Sequence, residues 1–226
     1  MKKSILPFFL FGAILSAAPV SMTLIDAGNP VKSVNGVDVG PYDLSINGVT
    51  VQAMCMDDFL TSNVGSSHRW TANETAVNGS SFSNTYLGMT PNYSNYNNLS
   101  DKQVYILEAY LFNQLVQPNA DRVDIQQAAW DIMDSTSLWG DRHNSTISGI
   151  LTSALANYSS FDTTGYEIVT DVNGNGYNCG NQEFMIHPDP ASATPEPATL
   201  ALMGGGLFAA GALRLFRRTK QAEVKA

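Results

Sequence analysis

Two periodicities divide the chain. Apolar and polar positions alternate from Leu44-Ser45-Ile46 through Val49-Thr50-Val51, on either side of Asn47-Gly48, a two-residue hairpin signal. Asn35-Gly36 is a second such signal, and the strand after Gly48 runs on to Met54-Cys55-Met56. Beyond residue 100 the period becomes helical. Ser100 with Gln103 forms a capping box ahead of Val104, Leu107, Glu108, Leu111 and Leu115. A second helix begins near Asp121 and carries Ile125, Ala128, Ala129, Ile132 and Met133 on one face. A third carries Ile147, Ile150, Leu151, Ala154, Leu155 and Tyr158. Strand signals return at Tyr166–Thr170 and Glu183–Ile186. Strands, three helices and strands again predict an α+β fold: an antiparallel sheet with a helical insertion. From Thr71 to Asn98 the chain is rich in Asn, Ser, Thr and Gly, which predicts long exposed loops with aromatic anchors.

The ends follow other patterns. Lys2-Lys3, an apolar run from Ile5 to Ala18 and the small residues Ser16-Ala17-Ala18 have the order of a secretory signal peptide, read as residues 1–22 with a signal helix. At the other end an uncharged stretch from Ala198 to Leu213 precedes Arg214, Arg217 and Arg218. Its length is barely enough for a membrane helix, and the arginines would hold that end in the cytoplasm. The exported domain is then 23–188, followed by a linker at 189–194 and a C-terminal segment at 195–220.

Charge sharpens this division. The 226-residue chain is 14% charged, and between residues 23 and 194 five Lys and Arg face eighteen Asp and Glu, a net of −13. So acidic a surface repels phosphate backbones and excludes nucleic acid as a partner. His68, His143 and His187 are isolated, without metal-ligand spacing. Asp171-Val172-Asn173-Gly174-Asn175-Gly176 resembles the opening of a calcium loop, but Gln182 stands where the bidentate Glu belongs, so we read it as a tight turn. Neither a metal nor another cofactor is expected, and no nucleophile elbow or phosphate loop is present.

The tail Pro195-Glu196-Pro197, the apolar span and the arginine cluster occur in the order of the PEP-CTERM sorting signal, which this segment resembles. That resemblance implies export by the secretion machinery and transient residence in the membrane. It further implies recognition of Pro195-Glu196-Pro197 by a membrane-embedded exosortase, removal of the tail, and a bacterium that makes extracellular polysaccharide.

The two cysteines, Cys55 and Cys179, form by default a disulfide in an oxidising compartment. A second pattern involves Cys55. Gln126-Gln127-Ala128-Ala129-Trp130 resembles the Gln-x-Ala-aliphatic-Trp motif of bacterial surface thioester domains (the TQXA type), and Cys55-Met56-Asp57 resembles their upstream cysteine segment. Ile125, Ala129 and Met54 depart from the residues usual there. The resemblance implies a bond between the Cys55 sulfur and the Gln126 side chain, with Gln127 the alternative if the register is off by one. The acyl group would be passed to an amine or hydroxyl of another surface. Trp130, one turn beyond Gln126, is read as a shield for the bond or as a plain core aromatic, and Asp57 as an orienter of the Cys55 loop. Two functions stand side by side: a covalent adhesin, and a non-enzymatic matrix protein stapled by Cys55–Cys179.

Overall fold

The computed structural model describes residues 18–187 except 28–31, 35, 59, 61, 91–95, 134–143 and 174–179. Residues 1–17 of the segment read as a signal helix, and the C-terminal membrane helix, therefore lie outside the described residues. Residues 20–22 of the 1–22 segment are not helical: they open the strand Val20–Asp26, with Val20 and Met22 buried in the core. Among those described, no helix is long and apolar enough to cross a membrane. Residues 17–192 cluster as one compact unit.

Six antiparallel strands close into a barrel. They are β1 (Val20–Asp26), β4 (Tyr42–Ile46), β5 (Val49–Cys55), β6 (Arg69–Ala76), β7 (Glu167–Asp171) and β8 (Phe184–Ile186), in the order β1-β4-β5-β8-β7-β6. The strands β2 (Lys32–Val34) and β3 (Val37–Val39) form a separate hairpin. The insertion holds α1 (Tyr86–Met89), α2 (Asp101–Leu115), α3 (Arg122–Met133) and α4 (Ser145–Asn157).

Alternation along the strands builds two cores. In β4, Tyr42, Leu44 and Ile46 point inward while Asp43 and Ser45 are only half-buried. Val51, Ala53 and Cys55 of β5 join them in the barrel, with Val20, Met22 and Leu24 of β1 and Phe184 and Ile186 of β8. The intervening Met54, Met56, Ile168 and Met185 face the other way and bury the apolar sides of α2, α3 and α4. β5 and β8 are thus covered on both faces, which is why Ala53 to Met56 reads as a continuous apolar run.

The three helices lie where the periodicity places them. Gln103 Oε1 accepts from the Ser100 backbone N–H at 2.9 Å in the capping box of α2, and Asn144 caps α4 by accepting from Thr146 N at 2.9 Å. The hairpin joining β4 and β5 turns at Asn47 (φ 50°) and Gly48 (φ 88°), the left-handed pair that an Asn-Gly turn supplies.

One expectation is corrected. Residues 71–98 are not loops throughout: β6 occupies 69–76 and α1 occupies 86–89. The polar letters mislead because only Trp70 and Ala72 of β6 reach the barrel core, while the remaining side chains face outward or line a half-buried margin. The aromatic anchors are real, since Phe82 stacks on Tyr105 at 5.5 Å and Tyr86 is buried.

Candidate functional site

Cys55 ends β5, paired with Phe184 of β8, and its side chain is fully buried as a free thiol. The S–H donates to the backbone carbonyl of Asp57 at 2.7 Å. Gln126 lies in the first turns of α3, and its side chain is fully buried as well. Its Nε2 donates to the carbonyl oxygen of Cys55 at 2.5 Å, and its Oε1 accepts from the backbone N–H of Gly40 at 3.3 Å. The two bonds fix the orientation of the amide, because the flipped rotamer would set oxygen against oxygen and N–H against N–H. Residues 71 positions apart in the chain are thereby joined at one point.

Trp130 is fully buried and belongs to neither apolar cluster. Its indole N–H faces the Cys55 sulfur and favours the thiolate, without completing a hydrogen bond of ordinary geometry. Burial pushes the Cys55 thiol well above its usual range, and the nearby Asp57 charge adds to that shift. The sulfur is a neutral thiol at neutral pH.

Asp57 braces the turn after Cys55. One carboxylate oxygen accepts from Glu183 N at 2.7 Å, the other from Leu60 N at 3.2 Å, and the backbone carbonyl takes Gln182 Nε2 at 3.0 Å besides the thiol. Burial raises its pKa to about 8 despite those donors. Glu183 is buried beside it and accepts from Tyr86 N at 2.8 Å, Thr170 Oγ1 at 2.5 Å and Tyr105 Oη at 2.9 Å. Burial lifts Glu183 to about 7. Glu108, on the buried side of α2, has no hydrogen-bond partner for either carboxylate oxygen among the described residues. Burial first, and then the charge of Glu183, push its pKa well above the ordinary carboxylate range. These acids hold protons at the pH where surface carboxylates have lost theirs.

Of the residues singled out in the sequence, the structure brings Cys55, Asp57, Gln126 and Trp130 together. Gln127 is a neighbour in sequence on another part of the helix surface, 7% exposed. Cys179 lies outside the described residues, as do Pro195, Glu196, Pro197, Arg214, Arg217 and Arg218. The carboxylate of Asp171 accepts from Asn173 N at 2.8 Å and from Asn181 N and Nδ2 at 3.1 and 2.7 Å, so it closes its own turn. Gly40, Tyr42 and Glu183 were not singled out. The Tyr42 hydroxyl donates to the Asp38 carbonyl, and its ring meets Phe184 edge-on at 5.9 Å. A lone acid in an apolar strand marked Glu183, and Gly-Pro before a strand marked a close backbone approach at Gly40; a backbone N–H has no letter of its own.

A small antiparallel barrel with a helical layer and a buried Cys–Gln pair is the class of domain these observations define. The chain also carries an address: residues 193–218 match the PEP-CTERM protein-sorting motif. That motif marks an exported protein, recognised by an exosortase in the membrane and held there transiently before release. No curated protein and no solved structure matches the chain.

Proposed function

We propose that the exported domain forms a Cys55–Gln126 thioester and uses it once, to attach the protein covalently to an amine or hydroxyl of another surface. Extracellular polysaccharide is one source of such hydroxyls. The supporting observations are the Gln126 amide hydrogen-bonded to the backbone carbonyl of Cys55, and a Cys55 side chain that is a fully buried free thiol.

Acyl transfer from an unactivated amide to a thiol is slow in water. Holding the two groups together removes the entropy of bringing them to contact, an effect that can reach about 7–11 kcal/mol. The thiol sulfur bonds to the side-chain carbonyl carbon of Gln126, the C–N bond breaks, and the nitrogen leaves as ammonia with the thiol proton. Nothing is oxidised or reduced. Trp130 and the surrounding apolar side chains keep water off the product, and Asp57 holds the turn that presents the thiol. Capture by a foreign amine or hydroxyl transfers the acyl group and regenerates the thiol, so the chemistry is a single event rather than turnover. The sorting tail delivers the domain to the cell surface or the medium, where a permanent bond is useful.

Intact mass of the processed protein tests this reading. The wild type is expected to be one ammonia lighter than its sequence, and Cys55→Ala and Gln126→Ala are each expected to abolish that loss. A full sequence mass overturns it. A deficit of two hydrogens would point to the Cys55–Cys179 disulfide instead.

A further inference from the structure

The thioester reading leaves one group around the pair without a role. Gly40 lies between two ladders: the β2–β3 pairing ends at Val39, and the β4–β5 pairing begins at Tyr42. Pro41 has no N–H. The Gly40 N–H is therefore not committed to a strand partner, and it donates to Gln126 Oε1 at 3.3 Å. The backbone can come this close because the residue is glycine. A Cβ at position 40 would lie 3.2 Å from Gln126 Oε1, 3.1 Å from Leu115 Cδ2 and 3.2 Å from Tyr42 Cδ2. Side chains of α2, α3 and β4 thus close in on Gly40, and its N–H is the donor to the Gln126 carbonyl oxygen.

That oxygen is the atom that gains charge when sulfur adds to the carbonyl carbon. Building on the thioester reading, we propose that the backbone N–H of Gly40 is the oxyanion donor of the site, stabilising the tetrahedral intermediate as the thioester forms. The same donor stabilises the corresponding intermediate when an incoming amine or hydroxyl attacks the thioester. As sulfur adds, the carbonyl π electrons move onto Oε1, where the Gly40 N–H receives the charge. As they return, the C–N bond breaks and ammonia departs with the thiol proton. A donor fixed in a water-free site needs no reorganisation as charge develops, and loss of one such donor typically slows acyl transfer by about 10²–10³-fold. Until ammonia leaves, Nε2 is held on the Cys55 carbonyl, which sets the amide plane with its oxygen on Gly40 as sulfur adds. The β2–β3 hairpin, which packs on α3, is what carries the donor into place.

Two changes at residue 40 of the full chain test the assignment. A backbone ester at Gly40 replaces the N–H with oxygen and leaves the shape intact, whereas Gly40→Ala keeps the N–H and pushes the carbonyl away. Ammonia loss is followed by mass against time in freshly made protein. The infrared carbonyl band of the finished thioester is read alongside, with the melting temperature of each variant as a control for folding. The ester is expected to form the thioester at least about 10²-fold more slowly and to shift the band to higher frequency, because the hydrogen bond to the carbonyl is gone. Gly40→Ala is expected to slow formation too. If the ester matches the wild-type rate and band, the Gly40 N–H only ties the hairpin to α3 and the assignment is overturned. If the wild type never loses ammonia, the thioester reading itself fails, which is a separate result.

Discussion

The two cores of this domain are built from the same strands but obey different rules. Inside the barrel, Val20, Met22, Leu24, Leu44, Ala53, Phe184 and Ile186 form an apolar filling, and Cys55 is buried among them. On the helical side the layer is equally buried, yet it surrounds Glu108, with Glu183 and Asp57 close by. A barrel that only needed to be stable would have no use for those acids. They lie where the helices meet the strand ends that carry the thiol, and each keeps its proton because burial penalises the charge. The stability of the barrel should therefore be insensitive to pH, and that of the helical side should not.

The largest effect should come from emptying the barrel. Phe184→Ala removes a fully buried ring from the middle of that core and is expected to cost about 3–5 kcal/mol in urea unfolding. The loss should be the same at pH 5 and pH 8. Titration of the wild type should come next. Asp57 and Glu183 have folded pKa values raised to about 8 and about 7, and Glu108 is raised as well. The folded state thus keeps protons that the unfolded chain releases above about pH 4. Stability is then fullest below the ordinary carboxylate range and is lost as pH rises through 7 to 8, on the order of a few kcal/mol. A melting temperature that rises over that window would contradict the assignment of protonated acids.

Glu108→Gln separates this carboxyl from its neighbours. It keeps the shape and cannot ionise in either state, so it is expected to flatten the pH dependence and raise stability at pH 8 by about 1–2 kcal/mol, with little change at pH 5. The smallest change is at the helix entry: Ser100→Ala should cost about 1 kcal/mol at any pH, through loss of the α2 cap.

The helices were the most legible part of the fold, because their apolar residues recur every third or fourth position and their caps are written in side chains. The Asn47-Gly48 hairpin was legible for the same kind of reason. β6 was not, since a barrel strand that sends only Trp70 and Ala72 inward looks like a polar loop. Closure of the barrel was not legible either. It depends on pairings between distant segments, β1 with β6 and β5 with β8, which leave no local pattern. Cys55, Asp57, Gln126 and Trp130, which the fold gathers, stand in two short side-chain segments of the sequence. Gly40 was not legible there, because its contribution is a main-chain donor whose position comes from where two ladders stop.

The order in which the barrel is assembled has a consequence for timing. β8 inserts between β5 and β7, and its neighbour Glu183 supplies the N–H that anchors Asp57. A chain threaded across a membrane from its front end delivers residues 183–186 last of all the barrel, shortly before the sorting tail that begins at 193. Until they arrive, the sheet stays open along β5 and the turn that presents the sulfur is unbraced. On the proposed thioester chemistry, the Cys55–Gln126 pair would be armed only when nearly the whole domain has crossed the membrane, away from the amines of the cytoplasm.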